Sequence, residues 1–82
     1  MTLDDFSVEK LHKTIGTNVA RLRKEKNMSQ LDLALAIGLK SSGLISVGEL
    51  HHNNKHFSIE KLYKISLVLN CDINEFFKPI EE

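Results

Sequence analysis

Three features of the sequence predict an all-α fold of five helices. Pro79 is the only proline, so the 78 residues before it contain no obligatory helix breaker. Apolar residues recur at spacings of three and four along most of that run. Polar capping residues stand where the apolar stretches begin, and asparagine or glycine where they end.

The elements follow in order. Val8, Leu11, Ile15, Val19 and Leu22 define one apolar stripe, which predicts a helix from about Ser7, its N-cap, to Lys26. Gly16 counts against a single unbroken helix, since glycine weakens a helix interior. Lys24 and Lys26 suit its C-terminal dipole, and Asn27 is its stop. Ser29 with Asp32 three residues on is a capping box for helix 2, whose Leu33, Ala34 and Ile37 face inward and whose end is Gly38. A polar turn, Leu39 to Gly43, leads to helix 3, Ser42 to Glu49, with Leu44, Ile45 and Val47 as its apolar contacts and Ser41 or Ser42 as its cap. His51 to His56 reads as an exposed loop. Ser58 caps helix 4, with Ile59, Leu62, Ile65 and Leu69 as its stripe and Asn70 as its left-handed stop. Asp72, with Glu75 at the third position, caps a last short helix that carries Ile73, Phe76 and Phe77 before Pro79. The 82 residues predict one domain: 1–14 as an N-terminal extension of helix 1, 15–77 as the core and 78–82 as a tail.

Composition bounds the function. Eleven basic and eleven acidic residues give a formal net charge of zero. The charges are not evenly spread. Lys10, Lys13, Arg21, Arg23, Lys24 and Lys26 face a single acid, Glu25, within 10–26, whereas both ends are acidic. An anionic partner responds to that local field rather than to the total. Cys71 is alone, which excludes an internal disulfide and fits a reducing compartment and a small core residue. No secretory signal and no apolar run of membrane-spanning length is visible, so a soluble cytoplasmic chain is expected. There is no nucleophile–base constellation, no phosphate-cradling glycine loop and no metal motif, so neither an enzyme nor a cofactor or small-molecule ligand is expected.

Two short helices joined by a tight glycine-containing turn, here Ser29 to Glu49, are the signature of a helix-turn-helix, which projects the start of its second helix outward. The order of short words along the chain carries a resemblance: Ile15-Gly16, Val19 and Leu22-Arg23; Ser29-Gln30, Leu33-Ala34 and Gly38; Ile45-Ser46 and Glu49; Ile59, Leu62 and Ile65; Leu69-Asn70-Cys71-Asp72 and Glu75-Phe76-Phe77. In that order they resemble the repressor-type helix-turn-helix family of the phage lambda and 434 repressors and the bacterial restriction-modification controller proteins. The turn from Gly38 to Ile45 is one residue longer than the family's usual turn. A register with Leu44 in place of Ile45 restores that length but displaces Glu49, and the first register keeps both. The loop from His51 to His56 is about two residues long for the family. Val47 stands at a helix 3 position that is commonly basic.

The resemblance implies a sequence-specific transcriptional regulator that binds double-stranded DNA as a homodimer, on a near-palindromic operator. It implies that Gln30 touches the DNA backbone and braces a side chain of helix 3, and that Arg23 and Glu49 form a structural pair between helices 1 and 3. The residues themselves add detail. Lys40, Ser41, Ser42 and Ser46 lie in the turn and on helix 3, where hydroxyls and an ammonium can bond phosphates or base edges. Asn53 and Lys55 are candidates for backbone phosphate. His52 and His56 have helical ligand spacing, but the segment lacks the further ligands and fixed geometry of a closed metal site. Gln30 and Lys40 are expected at the surface. Phe76 and Phe77 cannot both enter so small a core, and this end of the chain is the expected dimer interface. The rival reading is a protein-interaction module on the same fold, such as an antitoxin or a regulator's antagonist, favoured by the zero net charge and the helix 3 without basic residues.

Overall fold

A computed structural model describes residues 7–80. The first six residues of the expected N-terminal extension, and the last two of the expected tail, lie outside the described residues. Four α-helices are present: α1 (Val8–Glu25), α2 (Gln30–Ala36), α3 (Gly43–Leu50) and α4 (Ile59–Leu69). Two short 3-10 helices complete the order, His52–Asn54 after α3 and Ile73–Phe77 after α4, and the described residues contain no strand.

The helix boundaries follow local chemistry. The Ser7, Ser29 and Ser58 hydroxyls each accept from the backbone N–H three residues on. At Ser29 the bond is reciprocated, because the Asp32 carboxylate accepts the Ser29 N–H at 2.9 Å. The Ser29 backbone N–H, and then the Ser29 hydroxyl, stabilise the ionised Asp32 carboxyl and hold it below its ordinary pKa. The C-termini use left-handed residues. Asn27 (φ 58°) lets Met28 N–H donate back to Arg23 O, and Gly38 (φ 90°) does the same for Leu39 and Ala34. Asn70 ends α4 in the same conformation.

The core is a single cluster fed by every helix. Ile15 and Val19 of α1 meet Leu33 and Ala34 of α2 and Ile37 just past its end, Ile45 of α3, and Leu62, Ile65 and Leu69 of α4. Phe57 and Phe76 close it from the connecting segments. Gly16 does not interrupt α1; it permits a close helix crossing. A Cβ there would press on the backbone carbonyls of Gly48, at 2.6 Å, and Glu49. Gly48 is bare for its own reason, since a Cβ on it would sit 2.6 Å from the Phe57 ring.

Several expectations are corrected. Val8 is 66 % exposed, Leu11 is exposed too, and Ile59 is 71 % exposed, so none of the three belongs to the core stripe. The inward face of α1 runs instead through Ile15, Gly16, Asn18, Val19 and Arg23. The segment from His51 to His56 is exposed from His52 onward, as expected, though His51 is half-buried and His52–Asn54 form a 3-10 turn; Phe57, just beyond it, is buried. The fifth helix is a 3-10 element. Five residues followed by an extended Lys78 and Pro79 leave no room for α-type bonds to propagate. Its acidic capping box is absent: Asp72 accepts from Asn74 N–H at 2.8 Å, and Glu75 pairs with Lys78. Asn18, which the sequence reading passed over, fastens this element. Its buried amide donates to Phe76 O and Lys78 O, both at 2.9 Å.

Candidate nucleic-acid interface

The seven-residue α2 and eight-residue α3 are joined through Ile37 to Ser42. Ile45 is fully buried, whereas Leu44 is 38 % exposed. The register that keeps Ile45 and Glu49 is therefore the one adopted. Their relative placement is fixed by a buried polar network. The Arg23 guanidinium grips both carboxylate oxygens of Glu49, Nε to Oε2 at 2.7 Å and Nη2 to Oε1 at 3.0 Å. Its third donor, Nη1, reaches Met28 O at 2.8 Å. Gln30 at the head of α2 donates its amide to Glu49 Oε1 at 3.0 Å. One carboxylate on α3 thus ties α1 and α2 together, with both charges buried and their hydrogen bonds made.

Gln30 is consequently half-buried and bonded, not free at the surface as expected. Beside it opens a groove lined by Thr17, Arg21 and Lys24 of α1 and by Glu49 and Leu50 of α3. Arg21 and Lys24 bring basic charge to its wall, a role that the basic composition of helix 1 alone does not locate. The signal was their spacing of three, which puts them on one face.

Lys40 and Ser41 are exposed in the turn, and Ser42 and Ser46 are half-exposed. Ser42 occupies the N-cap position of α3 but makes no side-chain cap bond, which corrects the capping expectation. The first N–H groups of α3 therefore lack a side-chain acceptor. Asn53 and Lys55 are exposed on the segment after α3, where His51, Asn53 and Asn54 all have left-handed backbone. The structure brings Gln30 together with Arg23 and Glu49; it gives Lys40, Ser41, Ser42 and Ser46 no such partner. Phe76 is fully buried and so is unavailable to an interface, while Phe77 is 38 % exposed. Among the described residues no group of three or more His, Cys, Asp or Glu side chains is arranged to hold a metal ion.

The family described as Cro/C1-type HTH DNA-binding domain matches residues 18–82. The chain belongs to that family. No curated protein matches it. The match begins within α1 and takes in the α2–α3 pair, the buried network and every named wall residue of the groove but Thr17. The described helices are also too short or too polar to cross a membrane.

Proposed function

We propose that this protein is a sequence-specific transcriptional regulator, that α2 and α3 are its helix-turn-helix, and that α3 enters the major groove. Residues 15–77 would be the DNA-binding core, with the first turns of α1 as an extension and 78–82 as a tail. The observation that carries the reading is the Arg23–Glu49–Gln30 network. It fixes the head of α2 against α3, and a reading head must be rigid for phosphate contacts to set its register. In this reading Lys40, Ser41, Ser42, Asn53 and Lys55 hold phosphates and Ser46 faces base edges. The uncapped N-terminus of α3 adds backbone donors for a phosphate. It is a binding domain and no enzyme, with no cofactor, acting as a homodimer on a near-palindromic operator.

One observation favours a second reading. α3 carries no basic side chain, and Val47 stands on it where a base-reading residue is expected. A protein-interaction module on this fold would look the same. Fluorescence anisotropy against random duplex DNA at two salt concentrations separates the two. A DNA binder has measurable affinity that falls steeply, by about 10³ or more between 50 and 200 mM salt if some six phosphates are contacted. Absence of binding at the lower salt selects the interaction module.

A further inference from the structure

Three imidazoles meet where α1 passes the segment between α3 and α4. The His12 ring lies 3.8 Å from that of His56, centroid to centroid, at an interplanar angle of 14°. It lies 5.5 Å from His51 at 16°, and His51 and His56 are 6.3 Å apart at 30°. The rings face one another instead of converging their nitrogens on a point, so the arrangement is a stack and not a ligand set. Among the described residues the buried His12 Nδ1 has no hydrogen-bond partner, so a proton placed there would find no acceptor among them. His51 caps α3 in a left-handed conformation, its Nδ1 3.2 Å from Lys55 O.

We propose that His12, His51 and His56 form a proton-sensitive clasp, which holds the segment after α3 against α1 while the rings are neutral and releases it when they charge. The segment has reason to leave, because His51, Asn53 and Asn54 are all held in left-handed backbone that non-glycine residues adopt at a cost. Among the described residues, the charged groups around the rings are engaged elsewhere or carry like charge. On α1, Glu9 and Lys13 flank His12, and they pair with each other at 3.3 Å. From the segment itself come His52 and the cationic Lys55. Glu49 of α3 is already engaged by Arg23 and Gln30. Among the described residues no carboxylate bonds any of the three rings. Partial burial, and then the charges of His56 and His51, push the His12 pKa below its ordinary value of 6.5. The sign follows. The unfolded chain takes up protons before the folded one does, so the clasp's stability is complete above about pH 6.5 and is lost as pH falls from there through the lowered folded value. Resting on the proposed function, release would also free Asn53 and Lys55 from the position in which they meet DNA backbone.

Thermal unfolding of the full chain at pH 7.5 and 5.0, with His12→Phe beside the wild type, tests the clasp. Phenylalanine keeps a flat ring in the stack but takes no proton. Wild type is expected to lose roughly 5 °C more than the variant on acidification. If His12→Phe fails to fold, the exposed His56→Phe carries the same expectation. Equal losses in wild type and variant would overturn the clasp. So would a rise in wild-type Tm with added zinc chloride that is missing in the variant, which would make the cluster a cation site. In the DNA titration the wild-type Kd relative to that of the variant should rise about fivefold between pH 7.5 and 5.5. If neither protein binds DNA at any pH, the DNA reading fails while the unfolding comparison still decides the clasp.

Discussion

Glu49 is buried, charged and claimed by three donors, which makes it the residue on which the α2–α3 geometry depends. Removing either member of its pair with Arg23 strands the other charge in the interior. Glu49→Leu and Arg23→Met are each expected to cost about 3–5 kcal/mol in denaturant unfolding. Together they should cost less than the sum, because no stranded charge remains, and a double-mutant coupling near zero would contradict the contact. Gln30→Ala and Lys40→Ala should both weaken DNA binding in the anisotropy assay, but only the first should touch stability. Gln30 bonds a carboxylate, so its loss is expected to cost about 1–2 kcal/mol. Lys40 is exposed, and its truncation should stay within about 0.5 kcal/mol. Unchanged DNA affinity in the double variant would remove both from the interface. The side chains that the sequence concealed are those with distant partners. Asn18 stood in plain view as a polar residue beside Ile15 and Val19, yet its acceptors lie 58 and 60 residues away. His12 likewise gains its meaning only when the segment after α3 is folded back on it.

Helix ends were more legible than helix faces. Ser29 with Asp32, Asn27, Gly38, Ser58 and Asn70 act through backbone groups within a few residues, so their chemistry is local and the sequence displays it. Which face is buried depends on what lies opposite. Val8, Leu11 and Ile59 fit a helical period but stay exposed in the fold. The last element matched in place, and one of its two phenylalanines is buried as expected without the sequence telling which, but it did not match in type, since Pro79 and its short length decide between α and 3-10. Gly16 shows how propensity misleads. Read alone it weakens a helix by about 1 kcal/mol relative to alanine. In the fold it is the contact point with α3, so Gly16→Ala is expected to destabilise by about 1–3 kcal/mol despite the better helix former. Denaturant unfolding checks this, and a stabilised variant would mean that α1 and α3 do not cross so closely.

A monomer of this size presents a single α3, too little surface to select one site among many, and the exposed apolar residues suggest how the shortfall is met. With Phe76 taken into the core, Phe77 is left as the aromatic on the surface of the C-terminal segment, and Leu67 near the end of α4 is 62 % exposed. Burying apolar area of that kind against a second copy is the usual use of a patch on a small domain. A two-fold dimer would place two α3 helices on half-sites about 10 base pairs apart, and the operator would be nearly palindromic. Phe77→Asp is therefore expected to leave a folded chain, at a cost of about 1 kcal/mol or less, because the core ring is Phe76 and not Phe77. That chain should sediment as a monomer at micromolar concentration and bind an operator much more weakly, with little change in binding to a single half-site. Leu67→Asp is the informative companion. If it alone dissociates the dimer, the contact lies on the outer face of α4 and not at the C-terminal segment. A wild-type protein that sediments as a monomer and binds one asymmetric site would show that the domain reads DNA alone, and the exposed Phe77 would then need another partner.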